Sequence, residues 1–200
     1  MFTSNVREIV SIINQGGVVL MQVDTVFGLI CRSDIETSIV RIEQIKHRDH
    51  PSFGLFVRNF KVANKYAIFN DKQKQLFEKL FPGFFTLIVE ANDYAKTIIP
   101  SRVFGKNNNK TTIGLRVPNN DFCLKILDFF DVPLIATSAN ISKQPTATSF
   151  EKIDKSIISS VDAIYLDEYS TIAGLNSTII DITDINNIKI LRQGSGKYTL

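Results

Sequence analysis

Two short stretches carry most of the residue types that could do chemistry. In "QIKHRDHPSF", Lys46 and Arg48 place two cations two positions apart. On a helix such side chains diverge, whereas on extended backbone they share a face. Pro51 disfavours helix for the residue before it, so a helix ending near Lys46 is expected, with both cations free to point the same way. Paired cations, one with a planar fork, suit a ligand with several phosphates, although a solvated helix end would look similar. In "LIATSANISKQPTATS", residues 134–149, an apolar strand gives way to the small polar residues Thr137, Ser138 and Asn140. This is either an ordinary turn or a polar cradle at a strand tip.

Further along, "TTIGLRVP" sets Arg116 inside an apolar strand. A buried guanidinium needs an anion, from a protein carboxylate or from a ligand. "QVDTVFGL" puts Asp24 and Thr25 between two strands, and "LRQGSG" places Arg192 ahead of a Gly-Ser-Gly too short to be a phosphate loop. His47 and His50 receive no role. No Ser-His-Asp, Cys-His or paired-carboxylate set stands out, and the spacing of Cys31 and Cys123 gives no metal motif. Chemistry without such groups rests on positioning and charge neutralisation, as in phosphoryl and nucleotidyl transfer.

The elements that must hold these residues alternate between helix and strand. "TSNVREIVSIINQGG" has helical spacing and a Gly-Gly stop; "SDIETSIVRIEQIK" opens with Ser33 and Glu36 at capping-box spacing. Residues 60–81 read as two helical pieces broken near Asn70, with further helices expected at 120–130 and 149–159. "VVLM", "GLICR", "GLFV", "TLIVE", "GLRV", "PLIAT", "AIYLD", "STIID" and "IKIL" read as strands. The polar segment "RVFGKNNNK", 102–110, is expected to be a mobile loop. The pattern implies an α/β fold, a twisted mixed sheet flanked by helices, in one domain over residues 1–200.

The 200 residues are 44% hydrophobic and 22% charged, with net charge +3, which is ordinary for a soluble globular chain and indicates neither a nucleic-acid nor a membrane binder. No apolar run reaches the ~18 residues of a membrane span, and the N-terminus lacks a signal peptide's apolar stretch. With two cysteines far apart in apolar surroundings, a reducing, cytoplasmic setting is expected.

Taken in order, "VDTVFGL", "KHR", "FPGFFTLIV", "GLRVP", "ATSANIS", "NSTIID" and "LRQGSG" resemble the YrdC-like family of threonylcarbamoyl-AMP synthases, from about residue 6 to residue 196. The resemblance implies a concave basic pocket in which L-threonine, bicarbonate and ATP give threonylcarbamoyl-adenylate and pyrophosphate, with Mg²⁺ screening the triphosphate. A separate tRNA threonylcarbamoyl transferase would then act on an adenosine of tRNA. By the same resemblance Lys46, Arg48, Ser138 and Asn140 are the catalytic set. ATP contacts fall on these four and on Ser52, Thr112, Thr146 and Arg192. Threonine contacts fall on Thr25, Arg116, Ala136 and Ser177. No residue is expected to be a dedicated metal ligand, and weak tRNA binding is allowed.

The chain departs from the family pattern in three places. Gln22-Val23 stands where Pro-Thr is usual. Asp49, Ser52, Phe53 and Gly54 replace the usual residues after Lys-x-Arg, and Val57 stands where many members have His. It resembles the single-domain form, without a C-terminal extension. Two other readings keep the fold: a non-catalytic RNA-binding module, and a carbamoyl-adenylate-forming relative of the kind found within longer hydrogenase-maturation chains.

Overall fold

The computed structural model describes residues 1–48, 53–107, 109–167 and 171–198. Asparagine is the commonest helix starter. Asn5, Asn59, Asn70, Asn92 and Asn120 each accept a backbone N–H from the first turn of α1 (Val6–Asn14), α3 (Phe60–Tyr66), α4 (Asp71–Leu80), α5 (Asp93–Ile98) and α6 (Asp121–Leu127). Asn70 also closes a full capping box with Gln73, which explains the break between the two helical pieces of 60–81. Asp154 caps α7 (Lys155–Ser160).

The capping box expected from Ser33 and Glu36 does not form: α2 (Glu36–Ile45) starts from Ile35 with no side-chain cap. Asp34 is drawn instead into a bidentate pair with Arg32, and Ser33 donates its backbone N–H to Pro133 O. The expected loop at 102–110 is also corrected. Gly105–Asn107 forms β5, paired antiparallel with β6 (Lys110–Arg116), and Asn107 donates to Asp181 at 2.5 Å. Pairing along the β6 edge overrides the weak strand propensity of Gly and Asn.

The remaining strands are β1 (Val19–Gln22), β2 (Phe27–Arg32), β3 (Gly54–Phe56), β4 (Phe85–Glu90), β7 (Leu134–Ser138), β8 (Ala163–Tyr165), β9 (Thr178–Asp181) and β10 (Lys189–Arg192). They form one mixed sheet in the order β10-β9-β4-β6-β3-β7-β2-β1-β8. Strand alternation divides the apolar residues into two clusters, one on each face. Val19, Met21 and Ile30 pack with Ile9 and Ile13 of α1 and Ile126 of α6. Leu20, Leu29 and Leu55 turn the other way, joining Ile39 and Ile42 of α2 and Ile157 of α7 in the larger cluster. Among the described residues, no helix is long and apolar enough to cross a membrane.

The face that α1 and α6 cover at one end of the sheet changes character toward β6. Register aligns Gly28 with Ser138, Gly54 with Ala136, and Gly54 with Gly114. A Cβ on Gly114 would meet Thr86 Cγ2 at 3.2 Å and Ile88 Cδ1 at 3.3 Å. These small residues make a hollow in the sheet surface where longer side chains would fill it.

Candidate functional site

The hollow opens into a cleft of about 440 Å³. Its walls come from the turn after β1, the end of α2, the tips of β7, and the strands β4, β6, β9 and β10.

The tip of β7 answers why Thr-Ser-Ala-Asn ends an apolar strand. Ser138 Oγ donates to Asn140 Oδ1 at 2.6 Å, and Asn140 Nδ2 donates to Ile141 O at 3.0 Å and Gln144 O at 2.8 Å. The run is a self-bonded turn held in the cleft wall.

Lys46 is bound to this turn. Its ammonium donates to Ser138 O and, at 2.8 Å, to Asn140 O, while its own carbonyl accepts from Ser142 N at 3.1 Å. Lys46 is therefore buried, 4% exposed, rather than solvated at a helix end. Burial, and then the Arg48 charge, pull its pKa down to about 8. The two cations reach one cleft by a different route from the expected extended backbone. α2 closes with Arg48 N–H bonding Glu43 O and His47 N–H bonding Gln44 O, and His47 takes a left-handed φ of 51°. That reversal turns Lys46 inward and leaves Arg48 exposed at the mouth.

Arg116, in contrast, has its anion within the protein. Nη2 donates to Asp24 Oδ1 at 2.6 Å and Nη1 to Thr25 Oγ1 at 3.0 Å, and Asp24 also accepts from Asn119 N. A ligand carboxylate is therefore not needed to neutralise Arg116. What remains is Arg116 Nε, buried without a hydrogen-bond partner in a side chain that lines the cleft. A carboxylate could still be taken along that edge of the guanidinium.

Arg192 donates twice to Ser177 O, and Ser177 Oγ pairs with Thr86 Oγ1 at 2.8 Å. Burial, then the nearby Arg116 charge, lower the Arg192 pKa. The Gly-Ser-Gly after it serves packing. Gly194 N–H bonds Thr178 Oγ1 and Ser195 N–H bonds Asn176 O, and a Cβ on Gly194 would lie 2.0 Å from Asn176 O.

Of the residues singled out above, Thr25, Lys46, Arg48, Arg116, Ala136, Ser138, Asn140, Ser177 and Arg192 line the cleft. Thr112 and Thr146 do not. Thr112 is buried farther along β6, opposite Gly105 and Glu90. Thr146 Oγ1 accepts from Asn176 Nδ2 at 2.9 Å and so reaches the cleft only through that side chain. Ser52 lies outside the described residues. Sequence reasoning missed Phe53, Ser142, Lys143 and Asn176 as lining residues. Ser142 and Asn176 fall inside the motifs "ATSANIS" and "NSTIID" but were not singled out there.

The described lining includes five cations, Lys46, Arg48, Arg116, Lys143 and Arg192, and no carboxylate. Asp24 is committed to Arg116, and neither Arg48 nor Arg192 has an ion pair among the described residues. Such a wall attracts a polyanion, and its low-dielectric floor strengthens the attraction.

The family model Sua5_yciO_yrdC, with the description "Telomere recombination", matches residues 11–194. A putative threonylcarbamoyl-AMP synthase of Methanocaldococcus jannaschii is 32% identical over 90% of this chain and 80% of its own. The Vibrio vulnificus threonylcarbamoyl-AMP synthase is 26% identical over 96% of this chain and 99% of its own. Among solved structures, Pyrococcus abyssi Sua5 complexed with L-threonine superposes with a TM-score of 0.82 at 25% identity, covering 94% of this chain and 54% of that one. E. coli YciO shows the same fold with a TM-score of 0.82 at 24% identity, covering 98% and 95%. The chain belongs to the Sua5/YciO/YrdC family.

Proposed function

We propose that the protein is a threonylcarbamoyl-AMP synthase, a nucleotidyltransferase that joins L-threonine, bicarbonate and ATP. The observation that carries this reading is a cleft with five cations and no carboxylate among its described lining residues, at whose floor lies a buried arginine with a free Nε. The cation set suits a triphosphate and the arginine edge suits an amino-acid carboxylate. Relatives that bear the synthase name, and a family structure that holds L-threonine, support the same reading.

The threonine amine and bicarbonate give a carbamate with loss of water. A carbamate oxygen then attacks the α-phosphorus, the bond to the bridging oxygen breaks, and pyrophosphate leaves with that electron pair. Lys46 holds the Ser138–Asn140 turn, Arg48 and Arg192 neutralise phosphate charge, and Thr25, Arg116, Ala136 and Ser177 orient threonine. Thr112, Thr146 and Ser52 are retained as more distant nucleotide contacts. Mg²⁺, as the companion of the triphosphate, would take its ligands from the phosphates and water, since the described lining has no carboxylate to offer it.

The product is a mixed anhydride, an activated acyl donor. The consuming partner is therefore an acyl transferase, here the tRNA threonylcarbamoyl transferase that forms threonylcarbamoyladenosine in tRNA. The test is pyrophosphate release with each substrate omitted in turn. Release that requires threonine, bicarbonate and ATP together supports the reading, and release from ATP alone overturns it.

A further inference from the structure

The segment after Asn140 has no part in the mechanism so far, yet it contributes two residues to the cleft wall. Ile141–Gln144 is a β-turn, closed by Gln144 N–H to Ile141 O at 3.1 Å and tied again by Asn140 Nδ2 to Gln144 O. Ser142 is fixed from the other side, its N–H bonded to Lys46 O. Its hydroxyl oxygen is nevertheless buried and has no hydrogen-bond partner. A buried hydroxyl left unpaired in a bonded framework is costly unless a ligand completes it. Next to it, Lys143 takes a left-handed φ of 68° at the third turn position, where glycine or asparagine is unstrained. A strained, long, cationic residue at a cleft wall is the kind of outlier that marks function.

We infer, on the basis of the proposed function, that Ser142 Oγ and Lys143 Nζ bind the terminal phosphates of ATP and hold the departing pyrophosphate. The exposure gradient sets the direction. Arg116 and Lys46 are buried in the cleft, whereas Arg48 and Lys143 are exposed at its mouth. The two exposed cations thus face the most highly charged end of the nucleotide, on the side from which a leaving group can escape to solvent. Lys46 already spends two of its three N–H donors on carbonyls, so the turn supplies donors beyond the single one that Lys46 has left. The Ser142 hydroxyl gives a neutral donor and Lys143 a charge-assisted one.

The test is titration calorimetry of the full chain with inorganic pyrophosphate and separately with AMP, at fixed salt, for wild type, Ser142→Ala and Lys143→Gly. Lys143→Gly removes the charge and relieves the positive φ, so the variant should melt no lower than wild type. Each variant is expected to weaken pyrophosphate binding about tenfold and to leave AMP binding unchanged. Pyrophosphate affinity retained in both variants, or AMP affinity lost in parallel, overturns the inference. Wild type that binds AMP but not pyrophosphate overturns it too, while leaving a nucleotide site in place. Wild type that binds neither overturns the proposed function along with it.

Discussion

Replacing Lys46 with methionine keeps the length and removes the charge. Burial, helped by Arg48, lowers the Lys46 pKa from 10.5 to about 8. At about 1.4 kcal/mol per pKa unit, holding the ammonium in the cleft wall costs roughly 3 kcal/mol at neutral pH. Below about pH 8 the folded and unfolded chains both carry the proton, so the cost is fully present. Between about 8 and 10.5 the folded chain has released its proton while the unfolded chain keeps it. The unfolded state then binds more protons, and stability must rise with pH across that window. The variant escapes this cost but leaves Ser138 O and Asn140 O without their donor, at about 1–3 kcal/mol each if they stay dry. At pH 7 the two effects offset each other to within about 3 kcal/mol. Denaturant unfolding followed by circular dichroism from pH 7 to 10.5 should therefore show wild type gaining on Lys46→Met by roughly 3 kcal/mol. ATP affinity in the variant should fall at least tenfold at pH 7, about the worth of one charge-assisted hydrogen bond. Parallel pH profiles for the two proteins would refute the claim that Lys46 is a buried, bonded cation.

Asn140→Ala removes both bonds that close the β7 turn and the acceptor of Ser138 Oγ. Calorimetry should show ATP binding lost and threonine binding largely kept; the reverse would mean that the two ends of the cleft are exchanged. Arg116→Lys keeps the charge but breaks the fork to Asp24 and Thr25. Threonine affinity should fall more than about tenfold with ATP affinity nearly unchanged, because the bidentate edge is the part lost. His47→Gly relieves a left-handed φ and should raise unfolding stability by at most ~1 kcal/mol, net of glycine's unfolded entropy, as read from the denaturation midpoint. Val23 lines the cleft where the family commonly has threonine. Adenylate formation should therefore favour threonine with weak discrimination against serine, since one neutral hydrogen bond is worth ~0.5–1.5 kcal/mol. Equal rates with valine would show that the pocket is not threonine-specific.

The strands and most helices were legible in the sequence because their signals are local. Apolar runs mark β1 to β4 and β6 to β10, and asparagine marks helix starts. What failed was set by partners distant in sequence. Arg116 was correctly read as a buried charge needing an anion, but nothing local to Asp24 marked it as that anion. Only the fold brings them together across 92 positions. Lys46 looked solvated because its burial comes from the carbonyls of Ser138 and Asn140. β5 looked like a loop because its order comes from the β6 edge and from Asp181. Ser33 has cap spacing, but Arg32 claims Asp34 and keeps the chain out of helix until Glu36. For the site, the order of seven weak motifs carried more than any single residue. Ser142 and Lys143 stayed hidden because a turn's φ and an orphaned hydroxyl exist only in three dimensions.

If one cleft joins a threonine-derived carbamate to the α-phosphate of ATP, bicarbonate carbon must end up in the nucleotide product. The most direct measurement supplies isotope-labelled bicarbonate with threonine and ATP and follows the label by mass spectrometry of the nucleotide product. Label should appear in a threonylcarbamoyl-adenylate that forms in step with pyrophosphate, and should disappear when threonine is withheld. Pyrophosphate released without labelled adenylate, or labelled adenylate formed without threonine, would contradict that reaction.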